Sequence, residues 1–419
     1  MRSKARVRAF FAVTLAITDV AMAALAFVLA YWIRRWIPWP EEAKNMGQLL
    51  DYATLVVMHV LSIVTIFGFS GQYHVTRTSS RVDEFYAVFK SSSVATLMGV
   101  ALSSLLFKNS SLALDYSRGM VVYGWGATII LVMVGRLIHN IQQYPRIIGG
   151  INEVSTHKAM ELYKHIVKST LHPTDSLTAE IAKVVENTYR DVNIAFANEV
   201  GLMCESLGVD VFTVRNLVNT LPNDPSNPAA NPVRNMHFAG AGVGGHCLPK
   251  DPWLLKYGVD TYGKFKVDPE VIIGSRKLNM KMPEHMIKLL EEAMKKQNKS
   301  IKNAKIAVLG VAFLENSDDT RNTPTKTVFE KLKAKNANPI LHDPYVREFE
   351  YPFTKNLQET LHQADAVLLM VKHKDYLNLN LNELKETMNN PIFIDGRNAF
   401  NKEKIEKEGF TYLGVGKPH

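Results

Sequence analysis

The stretch AGAGVGGHCLPKDPWLL, residues 239–255, decides between two folds, because its glycines match the G-x-G-x-x-G spacing of dinucleotide-binding loops. A dinucleotide loop follows a buried strand and opens a helix. Here a segment rich in Pro and Asn precedes the glycines, and Pro249 and Pro252 follow them, which prevents a helix from starting directly after the loop. The sequence therefore predicts an irregular loop in which glycine lets the backbone approach another group closely, not a dinucleotide cradle.

The two cysteines of the chain, Cys204 and Cys247, have different surroundings. Cys204 lies within an apolar helical pattern, where a cysteine behaves as a small buried hydrophobic residue. Cys247 lies in the glycine loop close to Lys250, and a cationic neighbour favours the reactive thiolate form. Two cysteines do not make a disulfide framework, so we expect reduced thiols in a cytosolic compartment. The sequence thus singles out Cys247 as a candidate nucleophile.

The amino-terminal part of the chain contains four long apolar runs, at 9–33 and at about 53–70, 86–107 and 119–138. Each run is close to the ~20 residues that a helix needs to cross a bilayer. The distribution of basic residues around the runs places both ends of this region in the cytoplasm by the positive-inside rule. We therefore expect a multi-pass protein of the inner (cytoplasmic) membrane, with its later domains facing the cytoplasm.

Asp19 lies inside the first apolar run, where an ionisable side chain is either functional or makes a structural contact with a neighbouring helix. The sequence leaves both interpretations open and favours the structural contact. The formal net charge of +9 favours a membrane surface or a phosphate-bearing ligand as partner. We find no arginine-rich tract, no nucleic-acid motif and no metal-ligand spacing, so we predict neither a nucleic-acid partner nor a metal site.

The remainder of the chain is typical of a helical region followed by an α/β domain. A long amphipathic helix begins near Ser176, and it carries Lys183, Asn187 and Arg190 at i, i+4 and i+7, on one face. That polar stripe is either a solvated surface or a binding face. In 300–419, buried strands alternate with helical patterns, which predicts a small parallel sheet; the strands are KIAVLGVAF, PILHDPY, ADAVLLMVKH and PIFIDGRN.

Two segments of the apolar region, ITDVAMAALAFVLAYWIR and YSRGMVVYGWGATIILVMVGRLIHN, resemble a known membrane domain. They are similar to the four-helix membrane domain of bacterial polyprenyl-phosphate sugar phosphotransferases, over about residues 5–142. The resemblance implies a multi-pass anchor. No segment of this chain resembles the catalytic domain of that family.

Four further motifs occur in order: AEIAKVVENTYRDVNIAFANE, GVGGHCLPKDPWLL, GVAFLENSDDTRNTP and IDGRN. Together they resemble the UDP-glucose/GDP-mannose dehydrogenase family over about residues 144–419, and most closely its UDP-N-acetyl-mannosamine dehydrogenase branch. The resemblance implies a multi-domain chain and a homodimer joined through the central helices. The expected domains are a four-helix transmembrane domain at 1–142, a remnant of the NAD domain with a linker at 143–175, a central helical dimerisation and catalytic domain at 176–299, and a Rossmann-like UDP-sugar-binding α/β domain at 300–419.

The chemistry of that family is the oxidation of a sugar CH2OH group to a carboxylate, with two NAD as hydride acceptors. The resemblance implies that Cys247 forms a thiohemiacetal and then a thioester with the sugar. Lys183 and Asn187 would stabilise the oxyanion. Asp251 would transfer protons or hold the hydrolytic water.

The resemblance also implies residues that bind substrate and cofactor. Contacts to the UDP-sugar would come from Gly244, Gly245, His246, Arg234, Phe313, Leu314 and Arg397. Arg321 would reach the NAD pyrophosphate, since a guanidinium suits a pair of phosphates.

Two features depart from the family pattern. Leu314 stands where many members have a lysine, and no strand–G-x-G-x-x-G–helix unit occurs before residue 144. We therefore expect the NAD-binding domain and its acidic catalytic partner to be missing from this chain. Three functions stay open: a UDP-N-acetyl-D-mannosamine 6-dehydrogenase, a catalytically inactive UDP-sugar-binding or scaffold protein at the membrane, and a membrane sugar-phosphate transferase.

Overall fold

The computed structural model describes residues 2–37, 39, 47–73, 81–107, 118–220 and 236–418. These residues form two compact units, Met1–Ala179 and Glu180–His419. Each unit is described by itself below.

The first unit contains four helices that are long and apolar enough to cross a membrane, as the hydropathy pattern predicts. Their apolar stretches are 25, 21, 22 and 25 residues long. Many large apolar side chains point outward, among them Ile17 and Leu97, which are 62% and 73% exposed. An outer surface of this kind is compatible with contact to lipid. The helices are α1 (Arg2–Trp36), α2 (Ala53–Phe69), α3 (Arg81–Phe107) and α4 (Arg118–Gln143).

Asp19 lies inside this bundle and is fully buried. The guanidinium of Arg136 in α4 donates to both of its carboxylate oxygens, Nε to Oδ1 at 3.1 Å and Nη2 to Oδ2 at 2.7 Å. Arg136 also donates to Gln72 at 2.9 Å and lies over the ring of Phe67. Asp19 therefore makes a structural contact with a neighbouring helix, the interpretation that the sequence favours. The Asp19–Arg136 ion pair joins α1 to α4, and the two buried charges compensate each other.

The same unit ends in a small β–α–β element formed by β1 (Arg146–Gly150), α5 (Glu153–Lys164) and β2 (Leu171–Asp175). The two strands are parallel, in register from Arg146 opposite Leu171 to Gly150 opposite Asp175. Both strands lie within 143–175, the region expected from the sequence to be a remnant of the NAD domain with a linker. Pro173 is compatible with β2 because each strand of a two-stranded sheet has a free edge, where proline is tolerated.

The second unit contains most of the long helix with the polar stripe, the glycine loop and three further helices before the sheet. The side chain of Asp175 accepts a hydrogen bond from the Thr178 backbone N–H at 2.8 Å, which caps the long helix where the sequence predicts its start. The helices are α6 (Ser176–Ser206), α7 (Val211–Thr220), α8 (Asp251–Tyr262) and α9 (Glu270–Lys296).

The carboxyl-terminal part of the second unit is a parallel sheet, as predicted, with the strand order β5-β4-β3-β6-β7-β8. The order reverses between β3 and β6, and α/β sheets bind ligands outside the carboxyl ends of the strands at such a point. The strands are β3 (Lys305–Leu309), β4 (Asn338–His342), β5 (Phe353–Thr354), β6 (Ala366–Leu369), β7 (Ile392–Asp395) and β8 (Thr411–Gly414). The helices are α10 (Pro324–Ala334), α11 (Leu357–Leu361), α12 (Lys374–Leu377), α13 (Leu381–Thr387) and α14 (Lys402–Lys407).

One apolar core joins the helices to the sheet. Met286 and Leu290 of α9 belong to the same buried cluster as Ile306 and Val308 of β3 and Leu368 of β6. The regions predicted as separate central and carboxyl-terminal domains therefore share a core. This packing fixes α9 and the residues it contacts relative to the carboxyl edge of the sheet.

Candidate active site

The glycine loop, residues 239–250, lies against the segments that follow β3 and β7. Its Ala241 N–H donates to the carbonyl of Gly396 at 3.0 Å, and its Gly245 N–H donates to the carbonyl of Arg321 at 2.8 Å. The side chain of Asn322 returns a bond to the Gly245 carbonyl at 3.0 Å. These contacts place the loop at the carboxyl edge of the sheet, where the strand order reverses.

Two positions of the loop require glycine because Phe313 lies directly against them. A Cβ on Gly244 would approach the Phe313 Cβ to 2.5 Å and the Asn322 carbonyl oxygen to 2.9 Å. Gly245 has a φ of +91°, which a side chain disfavours, and it also contacts the Phe313 ring. The predicted close approach of the glycine backbone is therefore present, and its partner in this structure is Phe313.

Asp251 accepts hydrogen bonds from two other predicted catalytic side chains, those of Lys183 and Asn187. It is the first residue of α8 and is fully buried. Its Oδ2 accepts from the Lys183 ammonium and from the Asn187 amide, both at 2.7 Å, and its Oδ1 lies 3.1 Å from the Lys250 ammonium. The structure thus brings Asp251 together with Lys183 and Asn187, from which it is separated by 68 and 64 positions in the sequence.

Each charged group in this cluster favours the charged form of its neighbour. Burial raises the pKa of the Asp251 carboxyl, but hydrogen bonds from Lys183, Asn187 and Lys250 outweigh burial and hold that pKa below its usual value. The hydrogen bond to Asp251 raises the pKa of Lys183, and the negative charge of a Cys247 thiolate adds to the rise. At neutral pH the cluster therefore holds a carboxylate and an ammonium group, with Cys247 within their electrostatic reach.

Cys247 begins the turn that leads into α8. Its carbonyl accepts from the N–H groups of Lys250 at 3.1 Å and Asp251 at 2.8 Å. Its side chain is half-buried, and its Sγ lies 4.0 Å from Nδ1 of the exposed His246. The thiol is therefore accessible, whereas the carboxylate of Asp251, four residues further along the chain, is buried.

This arrangement suits nucleophilic attack on a carbonyl group. A thiolate at Cys247 would bond to the carbonyl carbon, and the ammonium of Lys183 and the amide of Asn187 are donors for the oxygen on which negative charge develops. Asp251 holds both donors by hydrogen bonds to one oxygen atom. The geometry therefore gives Asp251 the position of a residue that orients the two donors.

The remaining predicted binding residues have different environments. The Arg321 guanidinium pairs with Asp319, Nε to Oδ1 at 2.9 Å, and remains exposed. Leu314 is also exposed and follows Phe313. Arg397 follows β7 and donates from Nε to the Met370 carbonyl at 2.7 Å. Arg234 lies outside the described residues.

The segment after β3 does not fit a dinucleotide. In a dinucleotide-binding domain, the acid at the end of the next strand binds the ribose hydroxyls. The corresponding Asp343 is buried, and its Oδ2 accepts from Val311 N at 2.7 Å, Ala312 N at 3.0 Å and His373 Nε2 at 3.1 Å. Its Oδ1 accepts from Tyr345 N at 2.9 Å. With both oxygens bonded to protein groups, this carboxylate is not available to a ribose.

The segment after β1 does not fit a dinucleotide either. The Asn152 side chain accepts from Ser155 N at 2.8 Å, so the amino terminus of α5 is occupied by its own cap. The loops after β3 and β1 therefore offer no cradle for NAD, and no hydride-transfer step is assigned to the residues around them. Among the residues that the structure describes, no group of three or more His, Cys, Asp or Glu side chains could hold a metal ion.

The sequence interpretation missed four buried residues next to the cluster. Asp191 and Asn198 lie on α6, Arg276 and Asn279 lie on α9, and each is at most 1% exposed. A signal was present, because Asp191 lies at i+4 from Asn187 and extends the predicted stripe. Arg190, which we placed in that stripe, is exposed.

Comparison with known families gives two matches, both after the apolar helices. Residues 177–281 match the central domain of the UDP-glucose/GDP-mannose dehydrogenase family, and residues 307–402 match the UDP binding domain of that family. The first match contains Lys183, Asn187 and Asp251, and the second contains Phe313 and Arg397.

Individual relatives agree with these matches. The chain is 36% identical over 286 residues to a UDP-N-acetyl-D-mannosamine dehydrogenase of Pyrococcus horikoshii, covering 68% of this chain and 63% of that protein. It is 34% identical over 291 residues to the protein of the same name from Methanocaldococcus jannaschii, again covering 68% and 63%. The chain thus spans less than two thirds of the length of these relatives.

Solved structures show the same relationship. The crystal structure of an NDP-N-acetyl-D-galactosaminuronic acid dehydrogenase from Methanosarcina mazei superposes with a TM-score of 0.63 at 37% identity, over 68% of this chain and 60% of that one. The structure of the UDP-D-ManNAc dehydrogenase from Pyrococcus horikoshii gives 0.59 at 36% identity, over 68% and 62%. This chain therefore carries the central and UDP-binding domains of the UDP-glucose/GDP-mannose dehydrogenase family.

Proposed function

We propose that the chain works as a nucleotide-sugar 6-dehydrogenase, in which Cys247 holds the sugar as a covalent intermediate. The observation that carries this proposal is the cluster in which Asp251 orients Lys183 and Asn187 beside the accessible Cys247. An aldehyde at the sugar C6 atom is the electrophile that suits this arrangement.

In the proposed reaction, the Cys247 thiolate adds to the C6 aldehyde. The C–S bond forms, and the electron pair of the carbonyl π bond moves to oxygen. The product is the oxyanion of a thiohemiacetal, which Lys183 and Asn187 stabilise by hydrogen bonds. After oxidation to the thioester, water attacks the same carbon, and the C–S bond breaks to release the carboxylate and the thiolate. Asp251 keeps both donors in place throughout, since its lowered pKa makes it a poor proton acceptor.

The oxidant expected from the family resemblance is NAD, which would accept one hydride at each of two oxidations. The loops after β3 and β1 do not cradle it, so the hydride steps are not assigned to their residues.

The proposed substrate is UDP-N-acetyl-D-mannosamine. The match of residues 307–402 to a UDP binding domain supports a uridine nucleotide, and the names of the relatives support the sugar. We propose that Phe313, Leu314, Arg397 and Arg234 lie on the UDP-sugar side of the site with Gly244, Gly245 and His246, and that Arg321 faces the cofactor.

We also propose that α1–α4 anchor the chain in the cytoplasmic membrane and that the chain forms a homodimer. Four helices with apolar outer surfaces support the anchor. An exposed apolar stripe on α6 supports the dimer, because such a stripe is normally covered by another helix. The stripe consists of Ile181, Val185, Tyr189, Phe196 and Met203, and it continues to Leu207 directly after the helix.

A second candidate function is UDP-sugar binding without oxidation. The saturated Asp343 carboxylate and the capped α5 favour it, because the loops after β3 and β1 are then closed to a dinucleotide. A protein of this kind would retain a UDP-sugar at the membrane without changing it.

The decisive experiment measures NADH absorbance with the detergent-purified full chain, NAD and UDP-N-acetyl-D-mannosamine. We expect two NADH for each UDP-sugar consumed, and at most one with the Cys247→Ala control, because the thiol is needed only after the first oxidation has formed the aldehyde. UDP-N-acetylglucosamine and UDP-glucose serve as competing substrates. If calorimetry shows UDP-sugar binding while no NADH forms, the binding function replaces the enzymatic one. Two NADH for each UDP-sugar consumed by Cys247→Ala, with release of the carboxylate, would refute the covalent role of Cys247.

A further inference from the structure

A continuous chain of buried hydrogen bonds runs beneath the glycine loop. The Gly240 N–H donates to Asn198 Oδ1 at 2.9 Å, and the Asn198 amide donates to Asn279 Oδ1 at 2.8 Å. The Asn279 amide then donates to the backbone oxygen and to Oδ1 of Asp191, both at 2.9 Å. The chain therefore connects the start of the loop to the Asp191 carboxylate.

The other end of the loop is connected to the same carboxylate. Arg276 Nη1 donates to Asp191 Oδ1 at 2.7 Å and also contacts the carbonyl oxygen of Leu248 at 3.4 Å. Leu248 follows Cys247 directly. Both ends of the loop that carries the thiol are thus joined to one buried carboxylate.

The network also shares a helix face with the catalytic cluster. Lys183, Asn187 and Asp191 lie at i, i+4 and i+8 on α6. Lys183 and Asn187 bind Asp251, the residue that begins α8. Asp191 is connected to Gly240 and Leu248, which lie before and after Cys247 in the loop, through the hydrogen bonds described above. One helix face therefore determines the position of the loop relative to the oxyanion donors.

Stability alone is a weak reason for this network. A buried ion pair loses much of its attraction to desolvation, and replacing both partners by apolar residues is often neutral or stabilising. Here Asp191 Oδ2 and Arg276 Nε also lack a hydrogen-bond partner. A network with unpaired buried atoms is better explained by what it positions.

We propose that Asp191, Asn198, Arg276 and Asn279 are positioning residues that hold both ends of the glycine loop, and so fix the Cys247 thiol against Lys183 and Asn187. They do not touch the sugar. This inference rests on the proposed function for its effect on catalysis, whereas its effect on the loop is measurable without substrate.

The test is amide hydrogen exchange of the full chain in detergent, without ligands. The variant Asp191→Leu/Arg276→Met removes both charges together, so no uncompensated charge remains buried. We expect the amides of Lys250, Asp251 and Leu254 to exchange about tenfold faster, since the loop loses its tether at Leu248. Amides in β3 and β6 should keep their protection.

The matched control changes another polar pair between the same two helices. Glu205 of α6 and His285 of α9 are 2.8 Å apart and belong to neither the loop nor its network. Glu205→Gln/His285→Gln should leave exchange at 250–254 unchanged. If the double variant of the network does not fold, Arg276→Lys keeps the charge beside Asp191 and should still speed exchange at Lys250 and Asp251.

Two results would overturn the proposal. One is unchanged exchange in the loop of either network variant, and the other is an equal rise along all of α6 and α9, which indicates a merely structural role. If NADH formation is detected in the parent protein, kcat of the variant should fall by ~10- to 100-fold with KM for the UDP-sugar nearly unchanged. A parent protein that makes no NADH refutes the proposed function, and the exchange result still decides the positioning role.

Discussion

Asp251 illustrates how one buried carboxylate organises a site. It is the first residue of α8, where the helix dipole favours negative charge. Its Oδ2 accepts hydrogen bonds from Lys183 and Asn187 of a different helix. The position of these two side chains is therefore set by a residue that is distant from them in the sequence. The family resemblance names all three as candidate catalytic residues, but the sequence could not assign the orienting position to Asp251, because that position depends on a shared oxygen atom.

At the same scale, the two cysteines should differ in reactivity. Burial raises the pKa of the Cys204 thiol, which lowers its thiolate fraction near neutral pH, and its side chain is only 6% exposed. Cys247 is half-buried on an accessible turn. We expect iodoacetamide to alkylate Cys247 at least about tenfold faster than Cys204, as measured by peptide mass mapping of the native protein. Equal rates in the native state would contradict an accessible, reactive Cys247; urea-unfolded protein is the control.

At the scale of elements, Asp343 ties together the segments that follow β3, β4 and β6. Burial raises the pKa of this carboxyl, but the hydrogen bond from His373 and those from the backbone outweigh burial and lower the pKa to about 2. A carboxyl whose pKa is lowered on folding stabilises the folded state above its unfolded pKa of ~3.9, and this contribution is lost as the pH falls towards 2.

We therefore expect Asp343→Asn to destabilise the sheet at pH 7, by on the order of 2–3 kcal/mol, and to have much less effect near pH 2. Hydrogen-exchange protection of the β3 and β6 amides, corrected for intrinsic rates at each pH, measures the difference. The exposed pair Lys326–Glu350 provides a control, since Glu350→Gln should cost less than ~1 kcal/mol at either pH. A cost for Asp343→Asn that is the same at both pH values would show that its charge is not what stabilises these segments.

The elements themselves were predictable to different degrees. The four apolar helices and the strands of the carboxyl-terminal sheet follow from long apolar runs, because burial or lipid contact selects such runs directly. The strand β2, with the sequence LHPTD, carries no such signal, since its histidine and proline do not alternate with apolar residues. The buried network on α6 and α9 was missed because single polar residues in an amphipathic helix look the same whether water or a partner faces them.

At the scale of the whole molecule, the exposed stripe on α6 predicts a second copy of the chain as its partner. Tyr189 and Phe196 are 54% and 57% exposed, and neighbouring stripe residues are apolar as well. Tyr189→Glu/Phe196→Glu should convert a dimer into a monomer, because four buried charges at a two-fold interface would be desolvated. Light scattering coupled to size exclusion in detergent gives the mass. Leu377→Glu, on α12, is the control, and a dimer that survives the double substitution would rule out this stripe as the interface.

The hydrogen bonds beneath the glycine loop also limit which substitutions the four network residues can accept during evolution. Donation runs in one direction, from Gly240 through Asn198 and Asn279, and it converges with donation from Arg276 on Asp191. Changing an asparagine to aspartate removes a donor, and changing it to leucine leaves two neighbours without a partner. We therefore expect single substitutions at these positions to be selected against and joint replacements to be tolerated. Descendants of this chain should keep Asp191 and Arg276 together or lose them together.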